Sequence, residues 1–160
     1  MKIGVISDTH GLIQPAAFDY LEGSDLILHA GDIGGEAVLA ELEILAPVRA
    51  VRGNTDTFPI AGRCKDVEFF EAAGKKVYLT HRFIEGSYRV PTVVSDVTAK
   101  GPDIVIFGHT HHQHSEVREG KLFFNPGSAG HVRPGTRPAV GVLTINNSNI
   151  EDEFFYLDSL

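Results

Sequence analysis

The chain has 160 residues, of which 42% are hydrophobic and 22% charged, a composition typical of one globular domain, which we expect to span residues 1–160. Its 14 Lys and Arg against 21 Asp and Glu give a formal charge of −7, which argues against a general nucleic-acid binder and against docking on an anionic membrane. Cys64 is the only cysteine, which excludes an intrachain disulfide, and we expect a cytoplasmic protein without a signal peptide.

The first two-thirds of the chain predicts strands alternating with helices. Short runs rich in Val, Ile and Leu indicate strands of a sheet covered on both faces, and amphipathic segments between them indicate helices. In chain order, we predict a strand Lys2–Ile6, a helix Pro15–Glu22, a strand Asp25–His29, a helix Gly35–Ala46, strands Val48–Arg52 and Lys76–Thr80, a helix Arg89–Ala99 and a strand Asp103–Phe107.

Beyond Gly108 the pattern changes to antiparallel strands joined by turns. We predict these strands at Ser115–Arg118, Lys121–Asn125, Ala139–Asn146 and Ile150–Leu157. A parallel β-α part followed by a meander predicts an α/β fold with mixed sheets, two of which pack face to face with helices outside.

Five of the predicted strands are each followed at once by polar side chains of a kind that binds metals. These residues are Asp8, His10, Asp32, Asn54, His81, His109 and His111. Ligands of open α/β sheets bind beyond the carboxyl ends of the strands. Each motif is weak when taken singly, because a lone histidine is more often an ordinary core or surface residue. The whole set, in this order and at five successive strand ends, favours a metal site over a collection of ordinary core or surface residues.

The chemistry of this donor set points to divalent cations. Carboxylate, imidazole and amide donors without a thiolate suit Mn²⁺, Fe²⁺, Co²⁺, Ni²⁺ or Zn²⁺. Seven donors are too many for one tetrahedral zinc. We therefore predict two ions that share a bridging ligand, an arrangement that grips phosphoryl oxygens and lowers the pKa of a bridging water.

The motifs resemble those of a known family. They are Asp8-x-His10, Gly31-Asp32, Gly53-Asn54, His81 and Gly108-His109-x-His111, in this order. This signature resembles the calcineurin-like metallophosphoesterases. The short chain, the run 53–56 and Asn125-Pro126-Gly127-Ser128 resemble the small single-domain phosphodiesterase branch of that superfamily (YfcE-like). The resemblance implies a four-layer α/β/β/α sandwich with two mixed β-sheets flanked by helices.

The resemblance also implies a ligand assignment. Asp8, His10, Asp32 and His111 would hold the first ion, and Asp32, Asn54, His81 and His109 the second. Asp32 would bridge the ions, and Asp32, Asn54 and His81 would be the catalytic group. The implied reaction is hydrolysis of small phosphodiesters by attack of a bridging hydroxide on phosphorus. Manganese is the metal we expect, with nickel, cobalt, iron and zinc as alternatives.

Two positions depart from the family pattern. Larger members of the family commonly place a histidine directly after the motif asparagine, where this chain has Thr55. The branch usually has His-Gly-His where this chain has His81-Arg82-Phe83. Arg82 either contacts substrate phosphate, for which a guanidinium is suited, or is a solvated residue beside the site. We expect altered substrate preference or weaker catalysis from this segment.

Further candidate contacts lie outside the ligand motifs. The residues considered for phosphate binding are Ser128, His131, Arg133 and Arg137, of which Ser128 and Arg133 are the predicted substrate contacts together with Arg82. The alternative for Ser128 is a tight structural turn, and for the others a surface position. We interpret Asp56 as a brace for its loop. His29 is expected behind the ligands, hydrogen-bonded to a ligand carboxylate.

Three functional hypotheses follow. The leading one is a dimetal phosphodiesterase. Members of the branch that the sequence resembles often form homodimers or homotetramers. The second is a catalytically weak metal-binding scaffold for protein assembly on the same fold, since the retromer subunit resembles this branch and Thr55 and Phe83 replace expected groups. The third is a nuclease. The acidic charge and short length of the chain argue against this hypothesis, because such a chain lacks the basic groove that binds a nucleic-acid polymer.

Overall fold

The computed structural model describes residues 1–130 and 132–158. Within these residues the chain forms twelve strands and four helices. The strands are β1 Lys2–Ile6, β2 Leu26–His29, β3 Val48–Ala50, β4 Val67–Ala72, β5 Lys75–Thr80, β6 Ile84–Glu85, β7 Tyr88–Arg89, β8 Ile104–Ile106, β9 Gln113–Arg118, β10 Lys121–Pro126, β11 Ala139–Asn146 and β12 Asn149–Tyr156. The helices are α1 Pro15–Leu21, α2 Glu36–Leu45, α3 Ile60–Arg63 and α4 Pro91–Lys100. In the described part of the chain, no helix has the length and apolarity needed to cross a membrane.

Two mixed sheets form the centre of the fold. The first has five strands in the order β12-β11-β1-β2-β3, with β1, β2 and β3 parallel and β11 and β12 antiparallel. The second has the order β4-β5-β8-β10-β9, with β5, β8 and β10 parallel and the two edge strands antiparallel. β6 and β7 form a separate hairpin. The predicted mixed sheets are therefore confirmed.

Three apolar clusters lie between successive layers of the fold, so the fold has four layers. One joins the inner faces of the two sheets, where Ile3 and Val5 of β1 face Leu79 of β5 and Ile106 of β8. The second packs the outer face of the first sheet against α1 and α2, and the third packs the outer face of the second sheet against α4. Side chains alternate between the faces of a strand, so each buried strand contributes to two clusters. The α/β/β/α sandwich is confirmed.

The sequence missed β4 and the β6–β7 hairpin. The β4–β5 turn has Ala73 and Gly74 with φ of 49° and 76°. A tight turn of this kind is usually marked by Asn-Gly or Asp-Gly, so Ala-Gly gave a weak signal. The hairpin strands have only two residues each. The predicted helix at Arg89–Ala99 exists as α4 but begins at Pro91, since proline is favoured in the first helical turn.

Candidate metal centre

The site lies where the carboxyl ends of strands from both sheets meet. The Asp8 carboxylate after β1 accepts a hydrogen bond from the backbone N–H of His109 after β8, at 3.1 Å. The His81 ring after β5 places Nδ1 2.7 Å from the carbonyl oxygen of Ala30 after β2. Both contacts cross from one sheet to the other. Packing the two sheets face to face therefore assembles residues that are far apart in the sequence.

The first group of potential ligands contains Asp8, His10 and His111, whose ligand atoms all lie within 4.8 Å of one another. The Nε2 atom of His111 lies 3.1 Å from Asp8 Oδ1. The Nε2 atom of His10 lies 3.8 Å from Asp32 Oδ2, which connects this group to the next. These are the four side chains predicted for the first ion.

The second group surrounds Asp32 and Asn54. Nε2 of His81 lies 3.4 Å from Asp32 Oδ2 and 2.9 Å from Asn54 Oδ1. Nδ1 of His109 lies 3.0 Å from the same Asn54 oxygen. Asp8 also approaches Asp32 and His81, with ligand atoms within 4.8 Å. The structure thus brings all seven predicted ligand side chains into one network, and their role as ligands stays a prediction.

Two features show that the residues fit a divalent cation. Among the described residues, the buried atoms Asp8 Oδ1 and His111 Nδ1 make no hydrogen bond of good geometry, and the nearest charged neighbour of Asp8 Oδ1 is His111 Nε2 at 3.1 Å. A buried carboxylate oxygen without a well-aligned donor is costly, and a cation would compensate it. Asn54 Oδ1, an acceptor, faces ring nitrogens of both His81 and His109, at 2.9 and 3.0 Å. An unprotonated ring nitrogen and an amide oxygen both present lone pairs, which a shared cation would satisfy.

The pKa shifts keep both carboxylates ionised. Burial raises the pKa of Asp8, but the neighbouring His111 and His81 rings and the Ser7 hydroxyl outweigh this and lower it overall. Burial also raises the pKa of Asp32, and the His81 ring and the N–H of Thr55 more than reverse that effect. Both groups are therefore anionic donors at neutral pH.

Backbone strain is concentrated in this site. Five of the eight non-glycine residues with positive φ in the described chain are predicted ligands. They are Asp8 at 54°, His10 at 49°, Asp32 at 52°, His109 at 71° and His111 at 62°. Each such conformation costs on the order of 1–3 kcal/mol and persists only where the surrounding structure imposes it. The surrounding structure thus imposes these backbone conformations on the predicted ligands, a property for which the sequence carries no signal.

Comparison with known proteins assigns the family. The family model for the calcineurin-like phosphoesterase superfamily domain matches residues 1–148. The chain belongs to this superfamily. A probable metallophosphoesterase of Methanothermobacter thermautotrophicus is 36% identical over 158 residues, covering 96% of this chain and 91% of that protein. Phosphodiesterase YfcE of Escherichia coli K12 is 28% identical over 170 residues, covering 89% of this chain and 87% of that protein.

The solved structures agree with this assignment. The crystal structure of a Vps29 single mutant from Entamoeba histolytica superposes with a TM-score of 0.79 at 25% identity. The match covers 98% of this chain and 99% of that one. The two-sheet architecture predicted from the family resemblance is therefore shared across almost the whole chain.

The segment that departs from the family pattern has a structural explanation at Phe83. This side chain is 1% exposed and packs against Phe107 and Phe123 on the outer face of the second sheet. Phe83 is therefore a core residue. Arg82 is exposed and pairs with Glu85 through Nε at 2.9 Å and Nη2 at 2.6 Å. Contact of Arg82 with substrate stays a prediction.

Asp56 braces its loop, as interpreted from the sequence. Its carboxylate accepts hydrogen bonds from the backbone N–H groups of Ile33, Gly34 and Gly53, at 3.1, 2.9 and 2.8 Å. These bonds connect the loop after β2 to the loop after β3. Asp56 therefore fixes the distance between the segments that carry Asp32 and Asn54.

The run 125–128 supports the ligand loops from behind. The Asn125 side chain donates to the carbonyl oxygen of Gly108 and to the hydroxyl of Thr110, both at 3.0 Å. The buried Ser128 hydroxyl donates to the carbonyl oxygen of Asp8 at 2.9 Å. These bonds hold the two loops that carry Asp8, His109 and His111. Substrate contact by Ser128 stays a prediction.

The remaining candidates lie on the surface loop before β11. Arg133 is exposed, and its backbone is hydrogen-bonded to Thr136. Arg137 pairs with Asp158 at 2.8 Å and lies over the Tyr156 ring. His131 lies outside the described residues. A phosphate contact by Arg133 stays a prediction.

His29 lies behind the ligands, but the expected bond to a ligand carboxylate is wrong. Its Nδ1 accepts the backbone N–H of Gly31 at 3.1 Å, so Nε2 carries the proton. Nε2 lies 2.9 Å from the Thr9 hydroxyl, which donates in turn to the carbonyl oxygen of Ile33 at 2.8 Å. This chain of bonds requires a neutral ring. Burial lowers the pKa of His29 from 6.5 to about 4, against the opposing influence of nearby carboxylates.

We expect His29 to make the free energy of unfolding depend on pH. The unfolded chain binds a proton at His29 below pH 6.5, whereas the folded chain binds it only below about pH 4. Stability therefore falls as the pH falls through this window, by on the order of 3 kcal/mol. His81 contributes with the opposite sign, because burial lowers its pKa but Asp32 and Asp8 raise it overall. The His29 contribution is therefore the difference in slope between the parent chain and His29→Gln in urea unfolding of the metal-free chain. The exposed control His112→Gln should keep the slope of the parent chain. An equal slope in His29→Gln and the parent chain would contradict the expectation.

A cavity of about 350 Å³ adjoins the second group of ligands. Asn54 and His81 line it together with the charged side chains of Arg52 and Asp66, and Val67, Val90 and Val93 contribute apolar wall. It therefore combines two predicted ligands with both charged and apolar lining. No sequence motif indicated this cavity, since Val67 of β4 and Val93 of α4 lie outside every motif.

Proposed function

We propose that this chain is a metal-dependent phosphodiesterase that hydrolyses small phosphodiesters at a dinuclear centre, with Mn²⁺ as its metal. The observation that carries the proposal is the continuous network of seven nitrogen and oxygen donors, in which Asp32 lies between the two groups. Family membership and the phosphodiesterase named among the relatives support it.

Charge explains how an acidic protein would bind a phosphodiester. When bound, two divalent ions supply a water-derived nucleophile near neutral pH and offset charge on the phosphoryl oxygens. Their four positive charges exceed the two negative charges of Asp8 and Asp32. The site is then locally cationic although the chain has a formal charge of −7.

The three proposed catalytic side chains are oriented for this task. Asp32 Oδ1 accepts the backbone N–H of Thr55 at 2.9 Å, which directs Oδ2 toward both histidine groups. The Ala30 carbonyl can only accept, so its contact with His81 places the ring proton on Nδ1 and leaves Nε2 as the ligand nitrogen. Asn54 adds a neutral oxygen donor. Each side chain thus presents a lone pair to the site.

The cavity beside Asn54 and His81 suits the alcohol part of a diester. Its valine side chains would contact an apolar substituent while the phosphoryl group lies at the ligands. Thr55 provides no imidazole to protonate a leaving alcohol. We therefore expect faster hydrolysis of diesters whose alcohol has a low pKa, such as aryl diesters, than of alkyl diesters.

Removal of metal tests the proposal. Treatment with a chelator, followed by its removal, is expected to abolish hydrolysis of bis(p-nitrophenyl) phosphate. Added Mn²⁺ should restore the rate as the metal content approaches two ions per chain by elemental analysis. A panel of diesters and monoesters assayed with Mn²⁺, Ni²⁺ and Zn²⁺ should show preference for diesters. Full activity in the metal-free chain, or saturation at one ion, would contradict the dinuclear mechanism.

A second candidate function is a metal-binding scaffold for protein assembly. The structural likeness to Vps29 and the replacement of family groups by Thr55 and Phe83 favour it. The two candidates differ in turnover. A scaffold would bind Mn²⁺ but give no diester hydrolysis above that of the Asp32→Ala variant.

A further inference from the structure

A contact between the predicted ligand His109 and Glu85 joins the site to the β6–β7 hairpin. His109 directs Nδ1 toward Asn54 Oδ1 at 3.0 Å and Nε2 toward Glu85 Oε2 at 2.9 Å. The same Glu85 oxygen accepts both Nε and Nη2 of Arg82, at 2.9 and 2.6 Å. The two nitrogens of His109 thus face two different kinds of acceptor.

We propose that Glu85, held in place by Arg82, is a positioning residue that orients His109 and keeps its proton on Nε2. This inference rests on the proposed metal centre. A carboxylate on the outer nitrogen of a ligating histidine determines which nitrogen is free to bind a metal and raises its basicity. With Nε2 protonated toward Glu85, Nδ1 presents its lone pair beside Asn54, where the second ion is proposed.

The hairpin that carries Glu85 is anchored well enough for this role. Phe83, directly before β6, is buried against Phe107 and Phe123. The carbonyl oxygen of Phe83 accepts the N–H of Val90 at 2.9 Å, which closes the hairpin at its base. Phe83 is therefore a hydrophobic anchor next to Glu85.

The ion pair explains what Arg82 does in this chain. The guanidinium is half exposed, and both of its bonds go to the Glu85 oxygen that faces His109. It holds the carboxylate in one orientation and offsets part of its charge. Arg82, Phe83 and Glu85 therefore act together: Phe83 anchors the hairpin, and Arg82 orients the carboxylate that contacts His109.

Metal affinity tests the proposal in the full chain. Mn²⁺ binding is measured by calorimetry for the parent chain, Glu85→Ala, Glu85→Gln and Arg82→Ala. Loss of such an outer partner costs about 10–100-fold in metal affinity, so we expect a loss of this size for one ion in Glu85→Ala, with the other ion unaffected. Glu85→Gln should lose less, since its amide oxygen still accepts Nε2–H. Arg82→Ala should lose less than Glu85→Ala.

The control and a second measurement separate positioning from a general loss of charge. Glu68→Ala removes a carboxylate that also pairs with an arginine, Arg49 at 3.4 Å, and it should leave both affinities unchanged. In the Zn²⁺-loaded chain, nitrogen NMR should show His109 metal-bound at Nδ1 with a protected Nε2 proton. That proton should exchange rapidly with water in Glu85→Ala.

Each alternative result has a defined consequence. Unchanged Mn²⁺ affinities in Glu85→Ala would make Glu85 an ordinary surface ion pair and leave the phosphodiesterase proposal intact. Weaker binding with an equally protected Nε2 proton would overturn the positioning role. Binding of fewer than two ions by the parent chain would overturn both this inference and the dinuclear mechanism.

Discussion

Asp32→Ala is expected to lower phosphodiester hydrolysis by about a thousand-fold and to remove metal from the chain. Asp32 Oδ2 lies 3.8 Å from His10 Nε2 and 3.4 Å from His81 Nε2, so both proposed sites lose a donor together. Metal ions contribute several kcal/mol of transition-state stabilisation, and about 1.4 kcal/mol corresponds to a tenfold change in rate. Elemental analysis and initial rates on bis(p-nitrophenyl) phosphate check both effects.

Two further variants test whether the loss of rate and metal depends on the negative charge of Asp32. Asp32→Asn keeps an oxygen that can accept the N–H of Thr55, and it should still lose metal and rate because the carboxylate charge between the two ligand groups is gone. Asp152→Ala removes an exposed carboxylate on β12 and should behave like the parent chain. Circular dichroism should show a parental spectrum for each variant, as evidence that it folds. A folded Asp32→Ala with the parental rate would eliminate the proposed mechanism.

Gly53→Ala is expected to lower the rate by about a hundred-fold without removing any donor. An added Cβ would lie 2.1 Å from Asp32 Oδ1 and 2.3 Å from the Asp32 backbone nitrogen. Since backbone as well as side chain is in the way, the segment carrying Asp32 must move. A misplacement of about 1 Å in a catalytic site can cost 100-fold in rate. Overpacking of this kind also lowers the free energy of unfolding by about 1–3 kcal/mol.

The control for this variant is Gly35→Ala. A Cβ at Gly35 meets no atom within 4 Å, so the same chemical change is made where space is available. Rate and metal content should stay close to the parental values, and the urea midpoint should fall only slightly, because Gly35 is the N-cap residue of α2 and Ala is less favourable there than Gly. If Gly53→Ala behaves like Gly35→Ala in all three measurements, the close approach of the two loops does not constrain Asp32.

The central strands were predictable because their residues are apolar on both faces. β1 was predicted with its observed bounds, and β2 within one residue, since the burial of both faces leaves a continuous run of Val, Ile and Leu. The outer parts of the second sheet were harder. β4 has two adjacent Phe between two Glu, so it lacks both the polar–apolar alternation of a half-buried strand and a strong turn signal, and it was missed. The cavity beside Asn54 was missed with it.

The candidate ligands were predictable because polar residues at the ends of buried strands stand out against apolar runs. Glu85 could not be found this way, since it lies in a two-residue strand outside every motif. Its contact with His109 depends on how the β6–β7 hairpin folds back over the site. Phe83 was noted only as a departure, and its burial against Phe107 explains the change.

The donor chemistry follows from the sequence, because the residue types at the strand ends fix the donor groups. These are carboxylate, imidazole and amide groups, without a thiolate. Distances between these groups do not follow from the sequence. Asp8 and His109 are 101 positions apart and meet only because the two sheets pack face to face. Which nitrogen of each histidine faces the site is also a tertiary property. It depends on acceptors such as the Ala30 carbonyl and the Glu85 carboxylate, which reach the rings from other strands and loops.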